Sequence, residues 1–252
     1  MSTAAITEEL LGRVTATLAA GELPLVVFDL DGTLYSNTPR IIRILHEFAH
    51  IHAAAWPDLF EIVDAIPAQA VKYRVDDTLL AAGIDDEVIL AAAHQFWRER
   101  FFTNDYVVYD LPSPGAVEFA QLIWRAGGMP VYLTGRDAPN MLIGTLKALQ
   151  RDGFPIGTVR TQLILKEDPE LADVDYKASV VRYLKQVGQV IGLFDNEPAL
   201  CNLFQDAFAD ATVVWLDKPH AANPPPLYDR IHVVKQFTDL LPRGARRSAP
   251  RG

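Results

Sequence analysis

LPLVVFDLDGTLY, residues 23–35, sets a short apolar run against two aspartates and a glycine. Leu25, Val26, Val27 and Phe28 read as a buried strand, Asp29 and Asp31 close it, and Gly32-Thr33 breaks it. Residues two apart on a strand project to the same face, so both carboxylates are expected to point at one spot. Two carboxylates held there repel each other unless a cation or a shared proton intervenes. The stretch therefore marks a candidate reactive centre as well as a strand.

Outward from it, the chain beyond Pro112-Ser113-Pro114 alternates helix and strand. Helix 114–126 ends at Gly127-Gly128 before strand 129–134. Helix 138–151 then precedes a strand near 158–165, helix 175–187, strand 190–194, helix 198–208 and strand 211–216. Such alternation predicts a doubly wound, Rossmann-like α/β core: a parallel sheet covered on both faces, with right-handed crossovers. Ligands on these sheets bind beyond the carboxyl ends of the strands, where Asp29, Asp31, Thr134 and Asp195 all fall.

Residues 37–110 carry no long buried strand. They hold apolar-periodic pieces at 39–55, 58–65, 76–82 and 85–101, punctuated by Pro57, Pro67 and Gly83, which reads as an insertion of about four helices. The expected organisation is a core of residues 1–35 and 113–241 with an α-helical segment, 36–112, inserted in it. Residues 1–21 supply an accessory N-terminal helix stopped by Gly21. Residues 230–234 are expected to add an edge strand, and the polar, Pro/Gly-rich end, 242–252, to be a disordered tail.

The net charge of −9 argues against a general nucleic-acid binder. Four arginines (Arg243, Arg246, Arg247, Arg251) lie in the last ten positions, so the rest of the chain is more acidic still, 19 basic against 32 acidic residues. The sole cysteine, Cys201, excludes an intramolecular disulfide and reads as a small core residue. Glu8 and Glu9 interrupt the segment where a signal peptide would need an apolar stretch, and no run reaches membrane-spanning length. A cytoplasmic location with no membrane contact is the expectation.

Four motifs in order resemble those of the haloacid dehalogenase-like (HAD) superfamily, over roughly residues 23–216. The first is Asp29-Leu-Asp-Gly-Thr33, and the second is Thr134-Gly135-Arg136 after apolar Val131–Leu133. Lys177 opens a helix where the third motif's lysine is expected, and the acidic fourth motif is Asp195-Asn196-Glu197-Pro198. The resemblance implies Asp29 as nucleophile and Asp31 as general acid/base. It also implies Thr134, Gly135 and Arg136 around the phosphoryl group, with Lys177 as a fixed cation. Lys166 competes with Lys177 for that role. Clustered carboxylates suit Mg²⁺, which by resemblance would be held by the Asp29 and Asp195 side chains and the Asp31 backbone carbonyl. The fourth motif departs from commoner patterns, with Asn196 and Glu197 where a further aspartate is usual; they are candidates for the outer shell of the metal. Relatives that cleave carbon–halogen bonds or form long-lived phospho-aspartates carry another residue at the position of Asp31.

A motif of another class lies at 46–50, where His-Glu-Phe-Ala-His matches H-E-x-x-H. His46 and His50 would share a helix face and could bind zinc with Glu47 as base. The third histidine of the extended pattern is missing, since Ala53 and Trp56 occupy its positions, and neither Glu61 nor Asp64 is a persuasive substitute. An ordinary histidine pair is the preferred reading. His52, His94, His220 and His232 belong to no motif.

Together these features predict a Mg²⁺-dependent phosphatase acting on a small phosphomonoester, a phosphorylated metabolite, under a helical cap. Tyr35, Asn37, Arg40, Lys72, Tyr73 and Arg74 are candidates to meet the leaving group. A phosphomutase or phosphotransferase on the same scaffold, or a catalytically idle binding protein, are the alternatives.

Overall fold

The apolar run becomes strand β1 (Pro24–Phe28), buried along its whole length in the computed structural model, which describes residues 3–242. A helix, α1 (Thr3–Ala19), precedes it. Beyond β1 a two-residue strand, β2 (Tyr35–Ser36), pairs antiparallel with β3 (Leu111–Pro112). This short ladder is a neck through which the helical segment leaves the sheet and returns.

Between the two arms of the neck lie α2 (Thr38–Ile51), α3 (Leu59–Asp64), α4 (Val75–Ala81) and α5 (Glu87–Phe101), each within a few residues of its expected span. Asp86 caps α5 by accepting from the Val88 and Ile89 amides, and Pro39 occupies a first-turn position of α2. The segment buries its own apolar cluster, including Ile41, Leu45, Phe48, Val63, Leu79 and Ala93.

The remaining chain runs α6 (Ala116–Arg125), β4 (Met129–Asp137), α7 (Ala138–Asp152), β5 (Gln162–Lys166), α8 (Asp173–Val187), β6 (Gln189–Asp195), α9 (Pro198–Ala207), β7 (Thr212–Leu216) and β8 (His232–Val234). Six strands form one parallel sheet in the order β5-β4-β1-β6-β7-β8. The chain steps outward from β1 to β4 and β5, then crosses back to β6 on the other side of β1. The strand order reverses there, and β1 and β6 end side by side, the switch point at which such sheets place their ligand crevice.

Alternation along β1 divides the core. Val26 and Phe28 face a layer containing Ile6, Leu10, Phe119 and Leu149, whereas Leu25 and Val27 face Val180, Leu184, Cys201 and Phe204. Burying aliphatic and aromatic side chains in both layers is the main force holding the sheet.

Three expectations change. The first helix is integral to the fold: Ile6, Leu10 and Val14 are 0–1% exposed, and a Cβ on Gly192 of β6 would meet the Leu10 side chain at 2.7 Å. Strand β4 runs three residues past Thr134, because Asp137 both ends the strand and caps α7 by accepting from the Asn140 amide at 2.8 Å. Strand β5 starts at Gln162, since Thr158–Thr161 form a turn with Arg160 at φ 55°. The expected tail, save Pro242, lies outside the described residues.

Candidate active site

Strand β1 and its neighbour β6 bring two motifs together. The Asp29 amide donates to Phe194 O at 2.9 Å, so the ladder continues one residue past each strand and sets Asp29 beside Asp195. Lys177, in the first turns of α8, reaches between them. Its Nζ donates to Asp29 Oδ1 at 2.7 Å and to Asp195 Oδ2 at 2.8 Å. The other Asp195 oxygen accepts the Glu197 amide at 2.9 Å. All three side chains are buried.

One ammonium against two carboxylates leaves an excess negative charge. Burial, and then the Asp195 charge, push Asp29 up to about 8 despite the opposing pull of Lys177. Burial would lower the lysine, but Asp195 and Asp29 hold it above the ordinary value. The competing Lys166 donates to Pro169 O, Leu171 O and the Asp173 carboxylate, and so ties down the loop after β5 rather than entering this cluster.

Asp31 takes a different course. Strand β1 has ended by then, and the turn closed by Tyr35 N to Leu30 O (2.8 Å) sends the Asp31 side chain towards β4 instead of to the Asp29 side. Arg136 grips it with both arms, Nε to Oδ2 at 2.7 Å and Nη2 to Oδ1 at 2.7 Å. Arg40 Nη2 adds a contact to Oδ1 at 2.8 Å, the Asn37 amide donates to the same oxygen, and Thr134 Oγ1 lies 3.4 Å from Oδ2. Burial would lift the Asp31 carboxyl, but the Arg136 guanidinium, aided by Arg40 and Asn37, holds it well below the usual range. The two aspartates thus share a rim but not a set of partners.

This geometry corrects several expectations. Arg136 faces inward rather than into the open site: it is 3% exposed, and besides Asp31 it donates to Asp110 Oδ2 and Thr145 Oγ1. Thr134 and Arg136, two apart on β4, both face Asp31, and the Thr134 hydroxyl accepts the Arg136 amide at 3.2 Å. Gly135 lets the first residue of α8 approach, since a Cβ there would meet Asp173 Oδ2 at 2.2 Å. Asn196 braces the scaffold with its amide, accepting from Thr33 Oγ1 at 3.2 Å and donating to Pro219 O at 2.7 Å. Glu197 accepts from the Ala221 amide at 3.2 Å.

Of the leaving-group candidates, Tyr73, in the connection before α4, is exposed. Tyr35 is fully buried and donates to Asp152 Oδ2, and Asn37 and Arg40 are committed to Asp31. Arg74 is exposed and paired with Asp76, and Lys72 is exposed. Asp110, which no motif singled out, is wholly buried between Arg40 and Arg136.

Two of the three H-E-x-x-H side chains are partnered elsewhere. His46 lies 3.7 Å from Asp64, while Glu47 is held by Arg43 and the Tyr106 hydroxyl. No cluster of three or more His, Cys, Asp or Glu side chains able to hold a metal occurs among the described residues. Cys201 is buried in the core with its thiol pushed up by burial, as befits a packing residue. No helix among the described residues is long and apolar enough to cross a membrane.

Residues 23–222 match the family model for haloacid dehalogenase-like hydrolases. The chain has no match among curated proteins. Its fold is similar to that of a proposed phosphatase from Clostridium difficile (13% identity, TM-score 0.52, covering 84% of this chain and 94% of that one). It is also similar to Protein Tyrosine Kinase A (PtkA) of Mycobacterium tuberculosis (18% identity, TM-score 0.50, covering 90% and 99%). At these identities the likeness is one of fold.

Proposed function

The chain belongs to the haloacid dehalogenase-like hydrolase family, and on that premise we propose that it is a Mg²⁺-dependent phosphatase of small phosphomonoesters. The single observation that carries this reading is the buried Asp29–Lys177–Asp195 cluster at the mouths of β1 and β6. Its donor chemistry fits the ion. Two carboxylates share one ammonium and retain an excess negative charge, and Mg²⁺ binds through one or two carboxylates while keeping several waters. Asp29 and Asp195, with the Asp31 backbone carbonyl, would hold it. Bound there, it would offset that charge and polarise a phosphoryl oxygen.

The residues divide the chemistry between them. An Asp29 oxygen attacks phosphorus, forming an aspartyl-phosphate as the ester P–O bond breaks. In the substrate complex Asp31 must first take up a proton against the pull of its arginines. It gives that proton to the departing alkoxide, then takes one from the water that attacks the intermediate, releasing inorganic phosphate and restoring Asp29. Lys177 stays protonated throughout and stabilises charge on the phosphoryl oxygens. The Thr134 hydroxyl is near enough to Asp31 to act at the same oxygen cluster. Residues 36–112 act as a helical cap that excludes water.

A screen of phosphorylated metabolites, with Mg²⁺ and EDTA arms and Asp29→Asn as control, tests the reading. Phosphate release that needs both the metal and Asp29 is expected. Release unaffected by Asp29→Asn contradicts it.

A further inference from the structure

Four charged side chains from four separate parts of the chain meet beneath the site: Asp31 after β1, Arg40 in the first turn of α2, Asp110 just before β3, and Arg136 on β4. Arg40 forks onto Asp110, Nε to Oδ1 and Nη2 to Oδ2, both at 2.8 Å, while Nη2 also reaches Asp31. Its Nη1 donates to Phe101 O at 2.7 Å, and its guanidinium stacks over the Phe101 ring at 4.0 Å. Arg136 forks onto Asp31 and shares Asp110 Oδ2. The side chains of Arg40, Asp110 and Arg136 are 0–2% exposed; that of Asp31 is 31% exposed. The closed part of the cluster therefore presents one carboxylate outward.

A buried network of this kind costs desolvation that apolar residues of similar size would avoid, so its value lies in geometry more than in stability. Planar guanidinium forks fix the orientation of a carboxylate as well as its place. Two members, Arg40 and Asp110, stand on the outgoing and returning connections of the helical segment, either side of the β2–β3 neck. Where that segment sits is thus transmitted through one salt bridge to Asp31.

We propose that Arg40 and Asp110, with Arg136, are positioning residues that aim the Asp31 carboxyl at the leaving group and couple that aim to the placement of the helical segment. The proposal rests on the reading of Asp31 as the acid/base.

Its test is the dependence of kcat/KM on leaving-group basicity, measured with aryl and alkyl phosphates. Good leaving groups need little proton donation and poor ones need much, so a misaimed acid steepens the dependence, whereas a general loss of structure lowers every substrate alike. In the charge-balanced double variant Arg40→Met/Asp110→Asn, the alkyl-to-aryl ratio of kcat/KM is expected to fall about 10–100-fold, part of the range of general-acid contributions. Arg40→Lys, which retains the charge but not the fork, is expected to fall between the double variant and wild type, and it reads the same ratio if the double variant does not fold. An unchanged ratio in these variants, while Asp31→Asn lowers it, overturns the positioning role alone. If Asp31→Asn itself leaves the ratio unchanged, the acid/base reading fails and the proposal falls with it.

Discussion

Two charge clusters lie side by side at the rim of the sheet, and they are built on opposite principles. Around Lys177, two carboxylates share a single ammonium. Around Arg40 and Arg136, two guanidinium groups meet two carboxylates, each held by several hydrogen bonds. The first is deficient in positive charge and invites a cation; the second is balanced and closed. Asp29 and Asp31, two residues apart, belong one to each. The same residue type is pushed up in one cluster and held down in the other, so the partners, not the strand, decide what each carboxylate does.

The sharpest way to break this contrast is to remove the nucleophile from the open cluster. Asp29→Asn is expected to lower turnover of any substrate by about 10⁴-fold or more, the scale seen when a covalent nucleophile is lost. Stopped assays of wild type and variant at equal metal concentration check it. Next in size is a change in the closed cluster. Arg136→Met leaves Asp31 and Asp110 short of a counter-charge in a buried place, and the expected loss is about 3–5 kcal/mol in urea unfolding.

A subtler contrast is the pH dependence of stability. Folding raises Asp29 from its ordinary 3.8 to about 8, so the folded chain holds that proton more tightly than the unfolded one. The stabilisation is complete below the ordinary value and is lost as pH rises towards about 8. Asp31, displaced the other way, loses its contribution only as pH falls below its ordinary value, outside this window. Melting temperature in EDTA is therefore expected to fall between about pH 5 and pH 8.5. The rise produced by Mg²⁺, which binds the ionised carboxylate, is expected to grow over the same interval. Asp29→Asn should flatten both trends. The smallest effect is reserved for the motif that the fold does not use. His46→Ala should change stability by no more than about 0.5 kcal/mol, leave turnover intact and leave the purified protein without stoichiometric zinc.

The sheet was legible because its strands are continuous apolar runs separated by amphipathic helices, so both periods are explicit in the residues. The open cluster was legible too: Asp29 and Asp195 end strands, where the fold predicts convergence, whereas Lys177 is singled out over Lys166 by resemblance to the family's third motif. The closed cluster was harder, because its members are far apart in the chain. Arg40 nevertheless carried a signal. It occupies the same helical stripe as Ile44 and Phe48, both fully buried, and an arginine in an apolar stripe requires a buried partner. Arg136 follows Thr134 by two residues, and the alternation applied to β1 would have turned both to one face. Asp110 offered no such pattern, since it lies in an irregular connection whose course depends on how the neck closes. Asn196, a candidate for the outer shell of the metal, has a second part that its sequence context did not show: Gly32 packs against it so closely that a Cβ there would lie 2.5 Å from Asn196 Nδ2, so it braces the turn after β1.

The central claim is that Asp29 becomes covalently phosphorylated. The most direct measurement is an acid quench during turnover of a phosphate ester, followed by peptide mass mapping. The account predicts one phosphoryl group on the peptide containing residues 23–35, at Asp29, present with Mg²⁺ and absent in Asp29→Asn. Steady release of phosphate with no such adduct at any quench time, or an adduct on another residue, would contradict it.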